Sequence, residues 1–180
     1  MIPEKPIRTE TLYQGKIVSL ALRDSQLQDG TLVKRELIHT PGAVVIVPLT
    51  AQNEVRLVRQ FRAAAETWVI ELPAGTLEPN EGPELAAPRE LLEETGDQAA
   101  NWHYLGKFYT APGILDECLH LYLATNLTPG PNHLEFDEHI EVLTVPWAEA
   151  LAMIRRGEIE DAKTIAGLTH AGLHLNLPFA

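Results

Sequence analysis

Residues 75–96 read GTLEPNEGPELAAPRELLEETG, and the spacing within this stretch decides the reading of the whole chain. At about 100° per residue on an α-helix, Glu90, Glu93 and Glu94 fall on one arc while Leu91 and Leu92 point the other way. Three carboxylates therefore share one face of a helix whose other face is built to be buried. Unpaired, like charges at this spacing repel and destabilise the helix. A bound divalent cation turns that liability into a function, and oxygen-only donors suit Mg2+ or Mn2+. The competing reading is a solvated helix surface, on which clusters such as REL-LEE are common; the glycine and Glu81 at fixed offsets weigh against it.

The full pattern is a glycine, five residues, a glutamate, seven residues, then Arg-Glu-Leu-x-Glu-Glu-x-Gly. It resembles the signature box of the Nudix hydrolases, which cleave a nucleoside diphosphate linked to another moiety using metal ions held by the box. Two positions depart from that pattern. Asp97 stands where an aliphatic residue follows the last glycine, and Pro88 lies inside the helix. With Pro83 as the first helical residue, Pro88 cannot bond the Glu84 carbonyl, a loss of about 3 kcal/mol in a straight helix. A kink or a short first segment before Arg89 is expected.

A chain of 180 residues with 45% hydrophobic content buries a core and is most simply one compact domain. Its 14 basic and 25 acidic residues give a net charge of −11, which argues against phosphate-backbone binding and so against nucleic acid. An anionic substrate then needs metal ions and local arginines to approach the glutamates. The single cysteine, Cys118, excludes an internal disulfide, fits a reducing cytoplasm, and reads as a small core residue. The start, MIPEKPIRTE, carries no apolar signal region, and no run approaches the roughly 20 residues of a membrane span. A soluble intracellular protein with no membrane contact is the expectation.

Residues 11–23 and 31–39 read as an N-terminal pair of strands joined through Gln28-Asp29-Gly30-Thr31. Ala43–Leu49, AVVIVPL, suits a strand buried on both faces, with Glu54–Phe61 as its partner and Trp68–Leu72 delivering the chain to the box. Beyond the box, 102–109, 118–124 and 140–145 read as strands, 133–140 as an acidic loop, and 148–156 and 159–173 as helices either side of Gly157. Interleaved strands and helices predict an α/β (α+β) fold with helices packed on a mixed sheet. The Nudix resemblance implies the same thing, an α/β/α sandwich: residues 1–40 as an N-terminal β arm and 41–180 as the hydrolase domain.

The likeness extends past the box. Val58-Arg59-Gln60-Phe61-Arg62, Glu71-Leu72-Pro73-Ala74-Gly75, the proline of Ala111-Pro112-Gly113 sixteen residues beyond Gly96, and Arg156–Thr164 resemble the ADP-ribose pyrophosphatase subfamily. Ala111 stands where a serine is frequent before the proline. The resemblance implies hydrolysis of ADP-ribose to AMP and ribose 5-phosphate, by in-line attack of water on a pyrophosphate phosphorus. It implies Glu90 and Glu94 bridging two or more Mg2+ (or Mn2+) ions, with Glu93 and the Ala74 carbonyl completing the set and Glu93 and Glu94 serving the chemistry directly. Arg89 is read as structural; Glu81 is either an outer ligand or a charge at the helix start. The stretch Glu135–Val142 resembles the subfamily's catalytic loop and puts Glu138 at the position of the general base. Arg59 and Arg62 suit phosphate or the terminal ribose, or are surface charges; Glu66 and Glu117 suit ribose hydroxyls, with Pro112 and Gly113 beside them. For stacking adenine the N-terminal half offers only Tyr13 and Phe61 before Trp68. A homodimer with exchanged N-terminal strands is implied in the same way. The rival readings are a hydrolase of another nucleoside diphosphate sugar, such as GDP-mannose, or of a dinucleoside polyphosphate, and a non-catalytic ADP-ribose-sensing module.

Overall fold

The computed structural model describes residues 3–134 and 139–177. It divides into two compact units, Met1–Gly42 with Tyr109–Cys118, and Ala43–Phe108 with Leu119–Ala180.

In the first unit, β1 (Glu4–Gln14), β2 (Ser19–Leu27) and β3 (Leu32–His39) form an antiparallel sheet in the order β1-β2-β3. The expected strand over 11–23 is instead two strands, because a turn at Gly15, whose N–H donates to the Val18 carbonyl at 2.9 Å, breaks it. β1 carries no clean alternation because it contains Pro6 and shifts register at Pro6/Arg8 and Thr11/Tyr13. The Asp-Gly turn forms as expected. Gly30 takes φ 88°, and the Asp29 side chain accepts from the Thr31 N–H at 2.9 Å. Residues 114–116 join this unit by pairing beside β3: the Ile38 N–H donates to the Ile114 carbonyl at 2.8 Å, and the Asp116 N–H to the Ile38 carbonyl at 3.1 Å.

The second unit is built on a mixed sheet ordered β10-β5-β4-β9-β8, from Ile140–Pro146, Glu54–Arg62, Ala43–Leu49, Cys118–Thr128 and Gln98–Tyr109. β6 (Thr67–Glu71) pairs with β5; the three-residue β7 (Ala74–Thr76), too short to show a period, pairs with β4. β4 and β9 run parallel, whereas β10 with β5, β5 with β4, β6 with β5 and β7 with β4 run antiparallel. Alternation along β4 sorts the core into two layers. Val45, Val47 and Leu49 face α2 (Trp147–Arg156) and α3 (Ala162–Leu175), where Leu151, Met153 and Leu168 are buried. Val44 and Ile46 face α1 (Pro83–Thr95) through Ala86, Ala87 and Leu91. Helices therefore cover both faces of the sheet.

α1 begins with Pro83 after Gly82, carries Glu84 in its first turn, and ends at Gly96 with φ 75°. A Cβ at Gly96 would also lie 2.2 Å from the Gly130 carbonyl oxygen, so both conformation and space require glycine. The short first segment expected before Arg89 is absent: the helix is continuous from Pro83 to Thr95 with Pro88 inside it. Ala86, Ala87 and Leu91 are fully buried on either side of the proline, and one buried leucine alone contributes about 1.5–3 kcal/mol, the size of the proline penalty. No helix among the described residues is long and apolar enough to cross a membrane.

Candidate active site

The box residues assemble where α1 lies against the short strand β7. Backbone groups of residues 72–74 are bound one after another: the Leu72 N–H donates to Thr164 Oγ1 at 2.7 Å, the Pro73 carbonyl accepts from the Ile46 N–H at 2.9 Å, and the Ala74 N–H donates to Glu94 Oε2 at 3.1 Å. Glu94 is 3% exposed. At the next residue the helix comes so close that a Cβ on Gly75 would lie 1.9 Å from the Glu90 carboxyl carbon. Glycine at 75 is thus required by the carboxylate of residue 90.

Arg89 organises the remaining acids. Its Nε and Nη2 fork the Glu81 carboxylate at 2.9 and 2.7 Å, while Nη1 reaches Glu90 at 2.7 Å and Glu93 at 3.0 Å. This bonding raises the Arg89 pKa further above its ordinary value, chiefly through Glu81, and Arg89 in turn holds the Glu81 carboxyl below the usual range. Glu81 also accepts from the Glu78 N–H at 3.1 Å, which ties the loop before the helix to the same guanidinium. Among the described residues no three or more His, Cys, Asp or Glu side chains are grouped so as to hold a metal ion by themselves. What the strand and helix do present is carboxylate and backbone oxygen without nitrogen or sulfur, the donor chemistry of Mg2+ or Mn2+.

Two polar networks were invisible in the sequence. Asp97, the departure after the box, is 1% exposed and accepts from Arg56 Nε at 3.0 Å, so an ion pair replaces the expected aliphatic packing. Glu71 is 1% exposed and is held by the Arg62 fork at 2.8 and 2.7 Å and by Lys163. Burial pushes its pKa up, but the two cations outweigh burial and hold the carboxyl below the usual range. No local signal could have found partners 41 and 92 residues apart.

The other expected site residues lie as follows. Arg62 is committed to Glu71, with its side chain still 41% exposed. Arg59 stands 4.9 Å from the Trp68 ring centre and 3.3 Å from Glu141, at a cleft of about 300 Å³ that also includes Ile140. Phe61 meets Trp68 edge-on at 5.9 Å. Glu66 occupies the turn after β5 with φ 53°. Pro112, Gly113 and Glu117 belong to the first unit. There Glu117 accepts from the Thr110 hydroxyl at 2.8 Å, and Pro112 lines a cleft of about 480 Å³ with Arg23, His39 and Tyr109. Glu138 lies outside the described residues.

The NUDIX domain family model matches residues 39–168. The chain belongs to the Nudix family. An ADP-ribose pyrophosphatase of Bacillus subtilis is 38% identical over 174 residues, covering 96% of this chain and 94% of its own. A Bacillus methanolicus protein named methanol dehydrogenase activator is 37% identical over 175 residues, covering 96% and 95%. A crystal structure of an ADP compounds hydrolase superposes with a TM-score of 0.85 at 23% identity, over 96% of this chain and 95% of the other, a likeness of fold.

Proposed function

We propose that the protein hydrolyses the pyrophosphate bond of ADP-ribose to AMP and ribose 5-phosphate in a Mg2+-dependent reaction. The observation that carries this reading is the closure of α1 on β7, where Glu90 packs on Gly75 and Glu94 binds the Ala74 N–H. Glu90, Glu93, Glu94 and the Ala74 carbonyl are the residues that would hold two or more divalent ions. When bound, such ions neutralise pyrophosphate oxygens and make water a better nucleophile. The protein's own part is positioning: Arg89 sets the carboxylates on one helix face, and the buried contacts of residues 72–74 fix the strand opposite them. Glu138 is assigned the general base.

Arg59, Glu66, Pro112, Gly113 and Glu117 are assigned to substrate contacts, as is Arg62 through the exposed part of its side chain. Trp68, half-exposed beside Arg59, offers a ring face for a base. The reading extends to a cytoplasmic homodimer that exchanges N-terminal strands. Its support is the edge position of β1 and the exposure of Ile7 (58%), Leu12 (52%) and Tyr13 (58%) on it. The test is a panel of ADP-ribose, GDP-mannose and a dinucleoside polyphosphate incubated with and without Mg2+, with released phosphomonoester measured. ADP-ribose is expected to be cleaved fastest and only with metal; no turnover of any of them would leave a non-catalytic module as the better account.

A further inference from the structure

The start of α3 grips the strand that leads into the box. Asp161 caps the helix, accepting from the Thr164 N–H at 2.9 Å and from the Thr164 hydroxyl at 2.6 Å. That same hydroxyl, 0% exposed as a residue, accepts the Leu72 N–H at 2.7 Å. Its orientation is therefore determined: it donates to Asp161, leaving a lone pair for Leu72. One residue earlier, Lys163 bonds both Glu71 and Asp161, the latter at 3.1 Å. Consecutive residues of α3 thus hold consecutive residues of the strand, Lys163 on Glu71 and Thr164 on Leu72. One turn further on, a Cβ at Gly167 would lie 2.4 Å from Leu72 Cδ1, so the helix rests directly on that residue.

Two residues beyond Leu72, the Ala74 N–H meets Glu94. Pro73, between them, fixes φ, offers no N–H and has its carbonyl held by the Ile46 N–H, so this short link has few ways to take up a displacement at Leu72. We propose that Lys163 and Thr164 are positioning residues for the metal site, setting the Ala74 backbone and with it the Glu94 carboxylate from the opposite face of the sheet. This inference rests on the reading of Ala74 and Glu94 as metal-site residues. Neither Lys163 nor Thr164 touches the substrate. They act through Leu72 and Glu71, as outer partners that orient ligands do at metal sites generally.

The test compares Thr164→Val, which keeps the shape and removes the hydroxyl, with Thr164→Ser, which restores it. The first readout is Mn2+ binding to the protein without substrate, followed by electron paramagnetic resonance; the second is steady-state hydrolysis of ADP-ribose. Thr164→Val is expected to weaken Mn2+ binding by about 10-fold or more, the range seen when ligand-orienting partners are lost. It is expected to lower kcat with KM for ADP-ribose changed less than about twofold, and Thr164→Ser to recover both affinity and kcat. If Thr164→Val does not fold, Lys163→Met against Lys163→Arg makes the same comparison. Mn2+ affinity within about twofold of the parent in a folded Thr164→Val protein, or a serine variant no better than valine, overturns the proposal. A parent protein that neither binds Mn2+ nor hydrolyses ADP-ribose instead overturns the underlying assignment of the site.

Discussion

Gly75→Ala perturbs the candidate site by a single carbon. The added Cβ would lie 1.9 Å from the Glu90 carboxyl carbon and 2.0 and 2.1 Å from its oxygens. Ordinary contact at such atoms is about 3.5 Å, so the carboxylate or the strand must move by roughly 1.5 Å. Glu90 has little freedom to move alone, being 12% exposed and bonded to Arg89 at 2.7 Å. Displacements of about 1 Å at a reacting centre cost on the order of 10²-fold, or about 2.7 kcal/mol of transition-state stabilisation. A drop of about that size in kcat/KM for ADP-ribose is expected, with a stability loss of only about 1–3 kcal/mol in urea unfolding. Gly82→Ala is the matched control: its Cβ would lie 2.4 Å from a Glu84 carboxylate oxygen, but Glu84 is exposed and can swing into solvent. It is expected to keep activity within about threefold. If Gly75→Ala does the same, the closure of α1 on β7 is not what positions the acids.

Three further outcomes follow from the same geometry. Arg89→Lys keeps the charge but cannot fork Glu81 while reaching Glu90 and Glu93, so both Mn2+ affinity and kcat should fall, by about 10-fold or more; unchanged values would show that the fork is dispensable. Glu138→Gln should lower kcat by about 10²–10⁴-fold with the unfolding midpoint unchanged, and near-parental turnover would remove it as the base. Glu71, held below its ordinary pKa of about 4.3, binds fewer protons folded than unfolded in that window. Its contribution to stability is full at neutral pH and lost as pH falls through the folded value. Urea unfolding at pH 7 and pH 3 should show a smaller pH dependence in Glu71→Gln than in the parent; equal slopes would contradict the assignment.

The arc of Glu90, Glu93 and Glu94 was legible because it depends on one helix and its period, and β4 was legible because seven apolar residues in a row leave few alternatives. The N-terminal sheet was half legible. Its Asp-Gly turn announced β2 and β3, whereas Pro6 and two register shifts hid β1. Pro88 shows propensity overruled by packing, since the layer of Ala86, Ala87 and Leu91 against Val44 and Ile46 holds the helix together across it. What the sequence could not convey were contacts made only by tertiary approach: Asp97 with Arg56, Glu71 with Lys163, and Leu72 with Thr164. Each joins residues whose separation carries no periodic signature. The last two hold the segment that leads into the box.

The most direct test of the proposed activity is phosphorus NMR of ADP-ribose incubated with the purified protein, with Mg2+ and then with excess chelator. The pyrophosphate signals should give way to two phosphomonoester signals, those of AMP and ribose 5-phosphate, only while Mg2+ is present. Persistence of the pyrophosphate signals with Mg2+, or their loss at an equal rate under chelator, would contradict the assignment.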